Sequence, residues 1–247
     1  VLLIFGPDRL LYRGPPVDGA PHRHHALQLA VSLAAPLHLT TQDGDQEAEG
    51  FVIDADTTHQ LGGGAPELAL LYLEAESRDG QRLSRALHKR VLAHAPPPSL
   101  RTALACVDVE CATFDALCHD WLQAAGAADA AACEPMDSRI ADTLAYLANH
   151  TDRPQSAAAL AARVHLSADR LMHLFAASTG TSLRSYALWL RLKVALRTAL
   201  SGATLTTAAH AAGFSDSAHL SHSFKAMFGL PPSFLFERRN ELVVRFR

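Results

Sequence analysis

Apolar positions change their period part-way along the chain. Up to about residue 76 they fall in short runs: LQLAVSL (27–33), PLHLT (36–40), GFVID (50–54) and LALLYLE (68–74). DGDQEAEG, DADTTH and GGGAPE separate them. Runs of this length bounded by Gly, Asp and Pro predict strands and turns, and their number and spacing predict a small sandwich or barrel. From Ser77 the spacing becomes helical. Leu83, Leu87 and Val91 predict one helix over RLSRALHKRVLAHA (82–95), ended by Pro96-Pro97-Pro98, with Ser99 capping the next. Residues 100–125 predict two more helices, with Leu117, Trp121 and Leu122 on one buried face, and 124–135 reads as a loose connector. Beyond it a helix starts at Asp137 or Ser138, buries Ile140, Leu144 and Leu147, and is followed by Pro154.

The rear of the chain repeats itself. SAAALAARVHLSADRLMHLFAASTG (156–180) predicts a helix, a turn at Val164-His165-Leu166, and a second helix capped by Ser167. LTTAAHAAGFSDSAHLSHSFKAMFG (205–229) predicts the same, with Gly213 in the turn, Phe214 plugging the core, and Ser215 or Asp216 as cap. Both second helices read L-x-H-x-F-x-x-x-x-G, 49 residues apart. Leu and Phe, four apart, face inward, and the His between them faces out. Recurrence of the outward residue favours two helix-turn-helix units over an ordinary helical core. SLRSYALWLRLKVALRTALSG (182–202) bridges them as one long amphipathic helix, with Leu183, Tyr186, Leu190, Val194 and Ala195 available for packing. Arg184, Arg191, Lys193 and Arg197 lie along the same stretch.

Charge divides the chain at the same place. Residues 1–136 balance to −9 and residues 137–247 to +6, within a net charge of −3 over 247 residues. A basic rear half carrying paired helix-turn-helix units points to a polyanion, and double-stranded DNA is the expected partner. No apolar run approaches the ~18 residues of a membrane-spanning helix, so no membrane partner is expected. VLLIF at the start is too short for a signal-peptide core. Cys106, Cys111, Cys118 and Cys133 form no C-x-x-C pair, which suits reduced thiols and a cytoplasmic location. A redox-sensing thiol among them would need a low pKa and access. No Ser-His-Asp order, P-loop or dinucleotide fingerprint is visible, and the chain is not expected to be an enzyme.

Over about residues 137–240 the sequence resembles the AraC/XylS family of bacterial transcription regulators. AAGFSDSAHLSHSFKAMFGLPPSFL resembles the family signature around the second helix-turn-helix, and RLKVALRTAL its linker helix. The resemblance implies a bipartite DNA-binding domain of seven helices. Its recognition helices, at about 167–179 and 216–228, read successive major-groove segments ~34 Å apart. Base-reading positions match Asp169, Met172 and His173 in the first, and Ser217, Ala218, His219 and His222 in the second. His173 and His222 stand where the family commonly has Arg, so specificity shifts toward single contacts or toward neighbours such as Arg170 and His219. Arg184 and Lys225 read as phosphate contacts. A homodimer is expected, with RNA polymerase as partner if the protein activates and a small molecule or metal as effector. The apolar faces of the helices at 82–125 are the expected dimer contact.

Many members of the family carry a cupin-like sensor, and residues 1–80 suit one. HRHHALQ (22–28) resembles the first cupin motif, with His22, His24 and Gln28 in place of its usual Glu. DADTTHQ (54–60) resembles the second, with His59. In a strand His22, His24 and Gln28 share a face, His25 points the other way, and His59 would complete a site for a divalent transition metal. The expected architecture is α+β: a cupin-like β-barrel (1–80), a helical connector or dimerisation region (81–136) and an all-α double helix-turn-helix domain (137–247). The rival reading is a cupin acting as metal sensor or enzyme through His22, His24 and His59.

Overall fold

The computed structural model describes residues 1–16, 19–63, 66–87, 90–108, 113–126, 136–151, 155–229, 231–233 and 241–246. It divides into two compact units, Val1–Cys133 with Ala226–Arg247, and Glu134–Lys225. The fold is mixed α+β, β-rich in the first unit and helical in the second.

The first unit holds strands β1 (Leu2–Phe5), β2 (Arg9–Gly14), β3 (Leu27–Ser32), β4 (Leu37–Thr41), β5 (Gly44–Ala48), β6 (Gly50–Ile53), β7 (His59–Gly63), β8 (Leu68–Leu73), β9 (Val91–His94) and β10 (Val243–Phe246). Seven form one sheet, in the order β10-β1-β2-β8-β3-β6-β9, and β5-β4-β7 form another. Pairing is antiparallel except between β1 and β10. β3 and β8 are almost wholly buried, and their apolar runs are continuous rather than alternating. β5 is exposed along nearly its whole length, so DGDQEAEG gave no hydrophobic signal and read as a turn.

The single helix expected over 82–95 is instead helix α1 (Arg78–Leu87) followed by β9. Ile53 pairs with Val91 and Gly50 with His94, so backbone pairing with β6 overrides the local helical spacing. Helix α2 (Pro98–Cys106) starts at Pro98, whose fixed φ suits a first helical position, so Ser99 lies inside the helix rather than capping it. Leu83 and Leu87 of α1, Leu100 and Leu104 of α2, and Phe114 and Trp121 of helix α3 (Phe114–Ala124) belong to one core with Leu29 and Leu71 of the sheet. The stretch expected as a connector is thus packed onto the strands. Its apolar faces, including Leu117 and Leu122, are covered by their own unit. Cys118 is buried there, and burial pushes its thiol up to about 12, against the nearby Arg9 guanidinium, the reverse of what a redox sensor needs. Cys106 is exposed. Cys111, Cys133, Pro154 and most of the loose connector lie outside the described residues.

The second unit contains α4 (Ser138–Asn149), α5 (Ala157–Arg163), α6 (Ala168–Thr179), α7 (Leu183–Leu200), α8 (Leu205–Ala211) and α9 (Ser217–Phe228), the unit boundary at Lys225 falling within α9. These are six helices among the described residues, where the resemblance implies seven; residues 234–240 lie outside them. Asp137, Ser156, Ser167, Ser182 and Thr204 each accept a backbone N–H of the helix they precede, satisfying a donor that would otherwise be orphaned. Ile140, Leu147, Leu160, Leu171, Phe175 and Tyr186 share one core. The bridge helix α7 is buried on more than one face. Tyr186 and Leu190 join that core, while Trp189, Leu192, Ala195 and Ala199 are also buried and α7 packs on α8. A helix apolar on most of its circumference is one held between neighbours. Among the described residues no helix is long and apolar enough to cross a membrane.

Candidate nucleic-acid interface and imidazole site

The two helix-turn-helix units are built alike. α5 ends in a turn where His165 takes φ +54° and the Leu166 amide donates to the Ala161 carbonyl. α8 ends in a turn where Gly213 takes φ +71° and the Phe214 amide donates to the Ala209 carbonyl. Both turns need a left-handed residue, which Gly supplies without strain and His at some cost. After Leu166 the first unit goes straight to its cap, Ser167. After Phe214 the second has one residue more, Ser215, before Asp216 accepts the His219 amide at 2.7 Å. Gly180 and Gly229, both at φ +75°, follow the second helices.

The expected DNA-contacting residues occupy the outer faces. On α6, Leu171 and Phe175 are buried while Asp169, Arg170, Met172 and His173 are exposed. On α9, Leu220 and Phe224 are buried; Ala218, His219, His222 and Lys225 are exposed, and Ser217 is half-buried. Arg184 is exposed in the first turn of α7. Met172 is 43% exposed, which leaves its side chain free to make apolar contact.

Arg191, read from sequence only as one of several basic residues, turns inward. Its Nε donates to the Ala212 carbonyl at 2.9 Å, its Nη2 donates to the Gly213 carbonyl, and its guanidinium lies 4.1 Å from the Phe214 ring centroid. It ties α7 to the turn of the second unit. The signal for it was its place directly after Leu190, beside the packed face. Phe214 in turn meets the His219 ring edge-on, with centroids 5.2 Å apart.

In the first unit the structure gathers His22, His24, Gln28 and His59, with Gln28 on β3 and His59 at the start of β7 but His22 and His24 outside the named strands. Strand β3 begins only at Leu27; His22 and His59 form an isolated bridge, and His24 lies in irregular backbone whose carbonyl accepts the Asp56 amide at 2.8 Å. One ring nitrogen from each of the three histidines lies within 4.8 Å of the others. Their Nδ1 atoms face backbone carbonyls: His22 to Ala20 at 2.9 Å, His24 to Ala26 at 2.7 Å and His59 to Thr57 at 2.8 Å. A carbonyl only accepts, so each Nδ1 carries the hydrogen and each Nε2 keeps its lone pair. Oε1 of Gln28 stands 2.8 Å from Nε2 of His24 and 3.2 Å from Nε2 of His59, acceptor beside acceptor in the neutral rings, an arrangement that a shared cation would relieve. Burial pulls His24 down to about 4 and His59 to about 3, the neighbouring imidazoles adding to the effect, and lowers His22 as well. Three neutral imidazoles with second-sphere carbonyls and an amide oxygen suit a divalent transition metal. His25 takes no part, for its Nε2 is paired with Glu76.

Residues 160–238 match a family described as a helix-turn-helix domain. No curated protein matches the chain. Among solved structures, ToxT from Vibrio cholerae O395 is similar over 92% of this chain and 96% of its own, with a TM-score of 0.64 at 11% identity. ToxT from Vibrio cholerae strain SCE256 with a bound unsaturated fatty acid gives 0.65 at 11% identity, over 94% and 96%. An AraC-type transcriptional regulator from Chromobacterium violaceum is 24% identical over 41% of this chain and 92% of its own, with a TM-score of 0.39. Residues 160–238 of this chain are therefore a helix-turn-helix domain, in a chain that shares the α+β fold of ToxT.

Proposed function

We propose that the protein is a DNA-binding transcription regulator whose second unit reads two major-groove segments and whose first unit receives a signal. The observation that carries this reading is the duplication: two helix-turn-helix units whose second helices share one register, each presenting an exposed polar face on a helix begun by a side-chain cap. Arg184, Lys225 and the helix N-termini position the duplex through phosphates. Asp169, Arg170, Met172 and His173 face one groove segment, and Ser217, Ala218, His219 and His222 the next. Selection from random duplex DNA tests it. The expected product is a site of two segments about one helical turn apart, bound less tightly by His173→Ala and by His222→Ala. A folded protein that enriches no sequence would overturn it.

For the signal, the convergence of three imidazoles, one ring nitrogen of each within 4.8 Å of the others, favours a divalent metal held by His22, His24 and His59, with Gln28 as neutral fourth donor. Bound there, a metal would cross-link residues 22–28 to the segment carrying His59. Metal analysis, together with the shift of thermal unfolding on adding Zn²⁺, tests this part. A protein that takes up no metal and whose unfolding is unmoved by it would remove the metal and leave the DNA reading standing.

A further inference from the structure

The extra residue in the second turn, Ser215, governs what His219 can read. The Ser215 hydroxyl donates its single hydrogen to Asp216 Oδ2 at 3.0 Å. The same oxygen lies 3.1 Å from His219 Nδ1. With its hydrogen committed to a carboxylate, the hydroxyl has only lone pairs left for the ring, so Nδ1 must carry the hydrogen. In the neutral imidazole that leaves Nε2, on the opposite edge, as an acceptor. Asp216 is itself held in place, since its Oδ1 caps α9 by accepting the His219 amide. The Phe214 ring, meeting the imidazole edge-on at 5.2 Å and lying under Arg191, limits its rotation. The first unit lacks the inserted residue: Ser167 follows Leu166 directly, and the position matching His219 is Arg170, which only donates.

We infer that His219 reads an exocyclic amino group in the major groove, N4 of cytosine or N6 of adenine, and selects against the acceptor edge of guanine. The inference rests on the DNA-reading function proposed above and assigns the chemistry of one contact in it. The major groove makes the distinction available, since cytosine and adenine present amino hydrogens there, whereas guanine offers N7 and O6. Ser215 and Asp216 are positioning residues for this contact and touch no base in it.

The test uses the full chain. Selection with wild type and with His219→Ala locates the base pair whose preference depends on residue 219. At that pair, an analogue lacking the amino group (purine for adenine, pyrimidin-2-one for cytosine) should weaken wild-type binding by at least about five-fold. A 7-deaza purine, which removes an acceptor, should leave it within two-fold. Ser215→Ala keeps the Asp216 cap but frees the ring, and should narrow the preference against guanine at that pair only. A wild-type preference for guanine there, a harmless loss of the amino group, or no preference dependent on His219 would overturn the inference. A folded protein with no sequence preference anywhere would instead overturn the regulator reading.

Discussion

The Arg191 guanidinium lies 4.1 Å from the centroid of the Phe214 ring while donating to the two carbonyls that close α8. A residue on the bridge helix thus organises the turn that aims α9. Arg191→Ala strands the Ala212 and Gly213 carbonyls in a partly buried place, a loss on the order of 1–3 kcal/mol. Arg191→Lys should recover only part of it, because an ammonium lacks the planar fork. Urea unfolding followed by DNA affinity checks both, with affinity falling further than for a surface change such as Arg197→Ala.

The imidazole site makes stability depend on pH. In the folded protein His24 and His59 stay neutral down to about 4 and about 3, whereas the unfolded rings take protons near 6.5. Between those values the unfolded state binds more protons, so stability is full above about pH 6.5 and falls as the pH drops. The loss is on the order of 2 kcal/mol for each ring by pH 5. Thermal unfolding in chelator from pH 7.5 to 5 should show this slope, and His24→Gln should flatten it.

Replacing Gln28 by Glu restores a charged oxygen between His24 and His59, which the Gln28 amide now faces at 2.8 and 3.2 Å. An anionic donor tightens a site for a hard or borderline divalent ion. Gln28→Glu should therefore raise Zn²⁺ affinity and enlarge the Zn²⁺-induced rise in Tm, while His59→Ala abolishes that rise. Calorimetric titration and unfolding measure the two effects separately.

Trp121 is fully buried in the core shared by α1–α3 and the large sheet. Trp121→Ala should cost roughly 3–5 kcal/mol of stability. Leu117→Ala should likewise lower stability without shifting the oligomeric state seen by sedimentation, because this face is packed within its own unit. A variant that dissociates an oligomer yet stays equally stable would contradict that placement.

The second unit was largely legible in the sequence because its signals are local. The repeated Leu-x-His-x-Phe spacing set the buried and exposed faces of α6 and α9, and Ser167, Gly180, Gly213 and Gly229 marked turns and ends. Arg191 was missed because its partners are backbone carbonyls 21 and 22 residues away. In the first unit, β5 carries no apolar residue beyond Ala48, and β9 follows a helical spacing that only pairing with β6 overrides. His22, His24, Gln28 and His59 come together for a different local reason than strand alternation. Strand alternation does not hold over residues 22–26, and the bridge between His22 and His59 together with the amide of Asp56 brings the rings together instead.

The most direct test of the account is the affinity of the full chain for its best selected duplex, measured against salt and against a random duplex of equal length. The account predicts a clear preference for the selected site and a steep linear fall of log K with log salt. It also predicts that His173→Ala with His222→Ala lowers the preference without changing the slope, as expected of residues that would meet bases rather than phosphates. Equal binding of both duplexes at low salt by folded protein would contradict it.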